Sequence, residues 1–329
     1  MKYLALILSL LLLTACGRNM PDVKPNETTA FIAAPTEDLP AGKNALYCST
    51  FGLAWAQIKD SATSPILISA QYPDLRRLNA YEGFATSLLP EEYKASVKID
   101  TLEAEIEAAV EFSKALPFAL KMEDLKNSLT FKGTKVEAFG LNGGDPNRNS
   151  QAQVVYYKND HNFLVKLFPK DTLHEIFLYR NDGQKASLQK MFDYIATKVD
   201  SRSKSAKEKA SAWRYDFAEG DVLVVPKIAF NLEHSYENLI DNGFKFNGMG
   251  YDIVKATQRT AFMLDEEGAK VESEALIAAD SASAEMPKII KHPKKLFYDK
   301  PFLIVLKRKD STNPYFALWV DNAELLVKE

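Results

Sequence analysis

Cysteine is nearly absent. The 329 residues include two, Cys16 and Cys48, which excludes a disulfide framework and every paired-cysteine metal or redox motif. Histidine is almost as scarce. His161, His174, His234 and His292 stand far apart, and none has a companion at the three- or four-residue spacing of a metal motif. No Gly-x-Ser-x-Gly and no Walker loop is present, so neither an enzyme nor a cofactor is expected. The glycines of Asn142-Gly143-Gly144-Asp145-Pro146-Asn147 precede no helical pattern and read as a solvated turn, not a phosphate cradle. Charge is close to balance, 41 basic against 44 acidic residues, which removes the basic excess that nucleic acid requires. No apolar run approaches the ~18 residues of a spanning helix.

What the chain does have begins with an export signal. Lys2 precedes the apolar run Leu4 to Leu13, and small residues follow. Leu13-Thr14-Ala15-Cys16 resembles a bacterial lipobox, which implies removal of residues 1–15 and acylation of Cys16. The resemblance therefore implies a protein tethered to a membrane of the bacterial cell envelope, outer membrane or cell surface, through its N-terminal lipid. Residues 16–44 are rich in Pro, Asn and Thr and read as a flexible spacer, with one domain over 45–329. Cys48 lies in an apolar run with Leu46, Tyr47, Phe51 and Leu53 and reads as a buried, inert thiol.

The rest mixes short strands with a few helices, an α+β pattern. Leu46, Phe51, Trp55 and Ile58 predict a helix over 45–58, and Ser64 to Ser69 a short buried strand. Leu102, Ile106 and Val110 behind an acidic start predict a helix from Asp100 to about Leu116. Four apolar stretches, 129–131, 136–139, 153–157 and 163–167, predict an antiparallel meander, continued by Glu175 to Tyr179. Leu188, Met191, Phe192, Ile195 and Val199 mark an amphipathic helix. Val222 to Ile228 reads as a strand closed by Pro226 and Lys227, with a short helix at Tyr236, Leu239 and Ile240.

The most informative stretch runs from Ala261 to Val320. Ala261-Phe262-Met263-Leu264 is a strand stopped by Asp265-Glu266-Glu267-Gly268, and residues 269–296 lack a clear period. Phe302 to Leu306 and Tyr315 to Val320 are continuous apolar strands and must sit mid-core. This order resembles the carboxyl-terminal part of the serpins, and Val222 to Ile240 resembles the segment before it. Leu318 stands where that family usually has glycine, and residues 70–99 are far shorter than its early group of helices.

The resemblance implies a serpin-like α+β fold of antiparallel and mixed sheets, with an exposed reactive-loop-like segment and a hinge at Glu266, Glu267 and Gly268. It further implies inhibition of a serine or cysteine protease, by loop cleavage and insertion of the upstream segment as a new strand. Insertion requires alternate residues to face the core. The inward set is Ala269, Val271, Ser273, Ala275, Ile277 and Ala279, and every charge before Ser281 falls on the outward set. The scissile bond is expected within Asp280, Ser281, Ala282, Ser283, Ala284 and Glu285. A monomer is expected, with a target protease as partner. A non-inhibitory surface module that binds through the same loop is the alternative.

Overall fold

The computed structural model describes residues 20–100, 105–125, 129–182, 187–205, 212–271 and 293–329. The chain enters by a strand, β1 (Thr29–Phe31), parallel to β2 (Asn44–Cys48). Phe31, Ile32, Ala33 and Ala34 are buried, so the spacer expected over 16–44 is packed against the domain well before residue 45. The helix expected over 45–58 starts later: Ala45–Cys48 is strand, and α1 (Ser49–Asp60) follows from an extended Cys48. The strand expected at 64–69 shrinks to β3 (Leu67–Ile68), and it is not buried, since Leu67 is 62% exposed. α2 (Pro73–Ala80) then starts with proline in its first turn, where a missing N–H costs nothing.

The helix expected from Asp100 to Leu116 is instead a hairpin, β4 (Tyr93–Asp100) with β5 (Glu105–Phe112), followed by β6 (Lys114–Pro117). Residues four apart share a face in both periods. The deciding signal is the alternation of half-buried Ile106, Ala108, Val110 and Phe112 with exposed Glu107, Ala109 and Glu111. α1 packs against β5.

Next come β7 (Glu123–Asp124), β8 (Leu129–Phe131), β9 (Thr134–Val136) and β10 (Ala138–Asn142). Lys132 and Gly133, both at positive φ, make the tight turn between β8 and β9. A single helical turn, α3 (Pro146–Asn149), does follow the Asn142–Asn147 loop, capped by Asp145. Of the expected meander only the later part forms: β11 (Ala152–Asn159), β12 (Asn162–Leu167) and β13 (His174–Asn181) are each antiparallel to the next. The stretches 129–131 and 136–139 fall in other sheets, because β8 pairs with β9, and β10 with β7 and a later strand. α4 (Leu188–Ser205) buries Leu188, Met191, Phe192 and Ile195 as its period predicts.

β14 (Val222–Pro226) ends at its proline, and β15 (Ile228–Ser235) begins directly after Lys227. The short helix expected at Tyr236–Ile240 is a set of turns, since β15 already uses the residues up to Ser235. β16 (Gly243–Phe246) and β17 (Met249–Asp252) form a hairpin whose turn residues, Asn247 and Gly248, are left-handed. The remaining strands are β18 (Thr257–Asp265), β19 (Gly268–Val271), β20 (Lys295–Phe297), β21 (Phe302–Arg308) and β22 (Phe316–Val320).

The largest sheet has seven strands in the order β1-β2-β22-β21-β13-β12-β11. β21 and β22 sit inside it, and all of Phe302 to Leu306 and Phe316 to Val320 are at most 3% exposed. Leu318 is flanked by Leu46 and Ile304 and is fully buried, so this sheet accepts a leucine there without opening. A second sheet runs β15-β18-β19-β6, and β5 leads directly into β6. Two smaller sheets are β20-β14-β10-β7 and β17-β16-β3.

Candidate functional site: the hinge turn and the strand slot

β18 alternates along its length, with Gln258, Thr260, Phe262 and Leu264 buried and their neighbours more exposed. It ends in a two-residue turn that pairs Asp265 with Gly268, and the Glu267 N–H donates to Asp265 Oδ1 at 2.8 Å. The expected hinge, Glu266, Glu267 and Gly268, is therefore a closed hairpin turn. Gly268 has φ +134°, and a Cβ there would lie 2.4 Å from the Leu116 carbonyl oxygen and 2.6 Å from Pro117 Cα. No other residue type fits without moving β6. The turn is stitched to the neighbouring chain, since Phe118 and Met122 donate their N–H groups to the Glu267 and Glu266 carbonyls, each at 2.8 Å.

Charge locks the same turn. Lys227, between β14 and β15, places Nζ 2.9 Å from Glu266, 3.0 Å from Asp124 and 3.4 Å from Glu137. Lys121 reaches Glu266 at 3.1 Å and Glu267 at 3.3 Å. Burial pushes the Glu266 carboxyl up, but Lys227 and Lys121 outweigh it and hold it below the usual carboxylate range. Burial likewise pulls the Lys227 ammonium down, and Glu266 and Asp124 reverse this and raise it.

After the turn, β19 lies between β18 and β6, antiparallel to both. Ala269 is 2% and Val271 4% exposed, while Lys270 is half-buried, which is the expected alternation. The segment expected to lie exposed beyond Gly268 is thus inside the sheet for its first three residues, Ala269 to Val271. Ser273, Ala275, Ile277, Ala279, Asp280, Ser281, Ala282, Ser283, Ala284 and Glu285 fall outside the described residues, as does Cys16.

Beyond Val271 the arrangement changes. Thr257 to Ala261 pair with β15 on one edge, and on the other they have no strand partner among the described residues. The Thr260 hydroxyl, buried and facing inward, also lacks a partner among the described residues. Gln258 instead ties this part of β18 to the core, donating to the Cys48 carbonyl and Thr50 Oγ1 and accepting from the Tyr236 hydroxyl. The result is a slot with an occupied upper end.

The far end of the 272–292 stretch is pinned as well. Lys294, 2% exposed, pairs its Nζ with Asp221 at 2.6 Å, and its N–H donates to the same carboxylate at 2.7 Å. β20 then runs parallel to β14. Lys121, Asp124, Glu137, Asp221 and Lys294 escaped the sequence reading, because their roles depend on partners more than sixty residues away or on loops without a period. The Pro226-Lys227 step was visible as a strand end, not as the counter-ion of Glu266. Among the described histidines, His174 is buried with Nδ1 3.2 Å from the Tyr315 hydroxyl and Nε2 3.1 Å from Glu92, a packing role far from the slot in sequence.

No family model and no curated protein matches the sequence. Among solved structures the chain is similar to thyroxine-binding globulin in complex with thyroxine, at 12% identity and TM-score 0.45, over 86% of this chain and 93% of that one. It is also similar to serpin-12 of Manduca sexta, at 12% identity and TM-score 0.41, over 66% of this chain and 56% of that one. A third is a cleaved serpin 42Da, at 11% identity and TM-score 0.39, over 65% and 55%. The chain spans about 56% and 55% of the latter two. Two of these structural neighbours are serpins by name, and the fold of this chain is α+β with mixed and antiparallel sheets and few helices.

Proposed function

We propose that this chain is a lipid-anchored protease inhibitor that works by strand insertion. One observation carries the reading: the first three residues after the hinge, Ala269 to Val271, already lie in the sheet beside an edge of β18 that is unpaired further along among the described residues. Carrying the β18–β19 register forward puts Ser273 opposite Thr260, Glu274 opposite Arg259 and Ala275 opposite Gln258. Ser273 then meets the unpartnered Thr260 hydroxyl, and Glu272 and Glu274 point to the outward face, with Arg259 as a counter-charge. The acidic residues of the segment are compatible with insertion in that register.

The chemistry belongs to the target. Its nucleophile attacks a loop carbonyl, the acyl bond forms as the peptide C–N bond breaks, and the new amine leaves with a proton. Insertion of the freed upstream segment then competes with water for the acyl-enzyme. About ten new ladder bonds at ~0.5–1.5 kcal/mol each release on the order of 5–15 kcal/mol, comparable to a domain's whole stability. The lipobox-like Leu13 to Cys16 supports acylation at Cys16 and a place on the bacterial cell envelope.

Incubation with a panel of serine and cysteine proteases tests the reading. A covalent complex that survives denaturing electrophoresis, with a higher melting temperature after loop cleavage, is expected. Cleavage that only nicks the chain and leaves melting unchanged sinks it in favour of the non-inhibitory binding module.

A further inference from the structure

Residues 21–24 are docked, not free. The Lys24 N–H donates to the Asn231 carbonyl at 2.9 Å, and Asn231 Nδ2 donates to the Pro21 carbonyl at 2.9 Å, so residues 21–24 lie along the outer edge of β15. Leu325 to Val327 cover the same edge at Lys227 to Ala229. The Glu324 carboxylate then accepts the Glu27 and Thr28 N–H groups and the Thr28 and Thr29 hydroxyls, at 2.6–3.1 Å. β1 completes the attachment on β2.

Between Cys16 and Pro21 there are only five peptide steps, which reach at most about 18 Å, whereas a free spacer to Asn44 would reach about 100 Å. We infer that the outer edge of β15, with residues 21–24 laid across it, is the surface this protein turns to the lipid bilayer. The inference rests on the acylation of Cys16 proposed above. Val23, 45% exposed, and the exposed Lys24 lie on this surface. Val271, the last residue of β19, is two strand spacings, about 10 Å, from β15. A target protease therefore has to work close to the membrane.

The full lipidated chain, purified from membranes and placed in phosphatidylethanolamine and phosphatidylglycerol vesicles with a headgroup-bound acceptor dye, provides the test. Donor dyes go on Glu233→Cys, beside Leu232 on β15, or on Lys98→Cys, on the β4–β5 hairpin, which belongs to a separate sheet; Cys48 is buried. Transfer from position 233, on the bilayer-facing edge itself, is expected to exceed that from 98 about twofold or more. Lys24→Pro with Asn231→Ala, or a twenty-residue Gly/Ser insertion after Gly17 that touches nothing in the fold, is expected to erase the difference. An acylated protein with equal transfer from both positions, or an insertion that changes nothing, overturns this orientation alone. A purified chain without an acyl group on its N-terminal peptide overturns the anchoring reading and the orientation with it.

Discussion

Two strand pairs near the carboxyl terminus make opposite use of similar residues. β21 and β22 are enclosed on both edges, with β13 and β2 beside them and the side chains of Phe302 to Leu306 and Phe316 to Val320 buried. β18 and β19 share only three paired positions, after which one edge of β18 runs on without a strand partner among the described residues. The first pair is finished structure. The second is held at its turn by a glycine that fits no Cβ and by ion pairs around Glu266.

The contrast can be broken most severely in the finished pair. Ile304→Ala removes a fully buried side chain between Tyr179-Leu178 and Leu318 and is expected to cost about 2–5 kcal/mol, read as a lower melting temperature of the intact chain. Gly268→Val places carbon against the Leu116 carbonyl and a side chain at φ +134°. Backbone strain alone is expected to cost about 1–3 kcal/mol, and limited proteolysis should open at residues 266–271.

Glu266→Gln tests the ionic lock. Because the folded carboxyl sits below its unfolded value, its contribution is fully present above that unfolded value, near pH 4.3, and is lost as pH falls through the folded one. The variant is expected to lose about 1–3 kcal/mol at neutral pH and to show a shallower acid limb in melting temperature against pH. Glu175, held low against burial by Lys166 and Lys307 in the large sheet, keeps its own acid dependence in that variant. The smallest effect is the sharpest on mechanism. Glu274→Ala is expected to leave the intact protein unchanged and lower the stability of the loop-cleaved form by ~0.2–1 kcal/mol, the value of a cross-strand charge pair with Arg259.

The residues themselves announced the buried pair, since uninterrupted apolar strands fit only a sheet interior. They also announced α4, the antiparallel run from β11 to β13 and the turn that closes β18. The hairpin of β4 and β5 was misread because Leu102, Ile106 and Val110 satisfy helix and strand periods alike. The spacer was misread because Pro-, Asn- and Thr-rich composition describes a segment without a core of its own. Such a segment can still dock when Glu324 and Asn231 offer it hydrogen bonds from elsewhere in the chain.

Local chemistry alone set the sidedness of the segment after Gly268, with Ala269 and Val271 inward and Lys270 outward, because side chains alternate in any strand and charge avoids the core. Which strands flank it, and which lysines hold its turn, only the tertiary structure decided. Lys227, Lys121 and Glu266 meet through the crossing of three separate chain segments, and no period in the sequence encodes which distant charge a folded sheet brings within 3 Å.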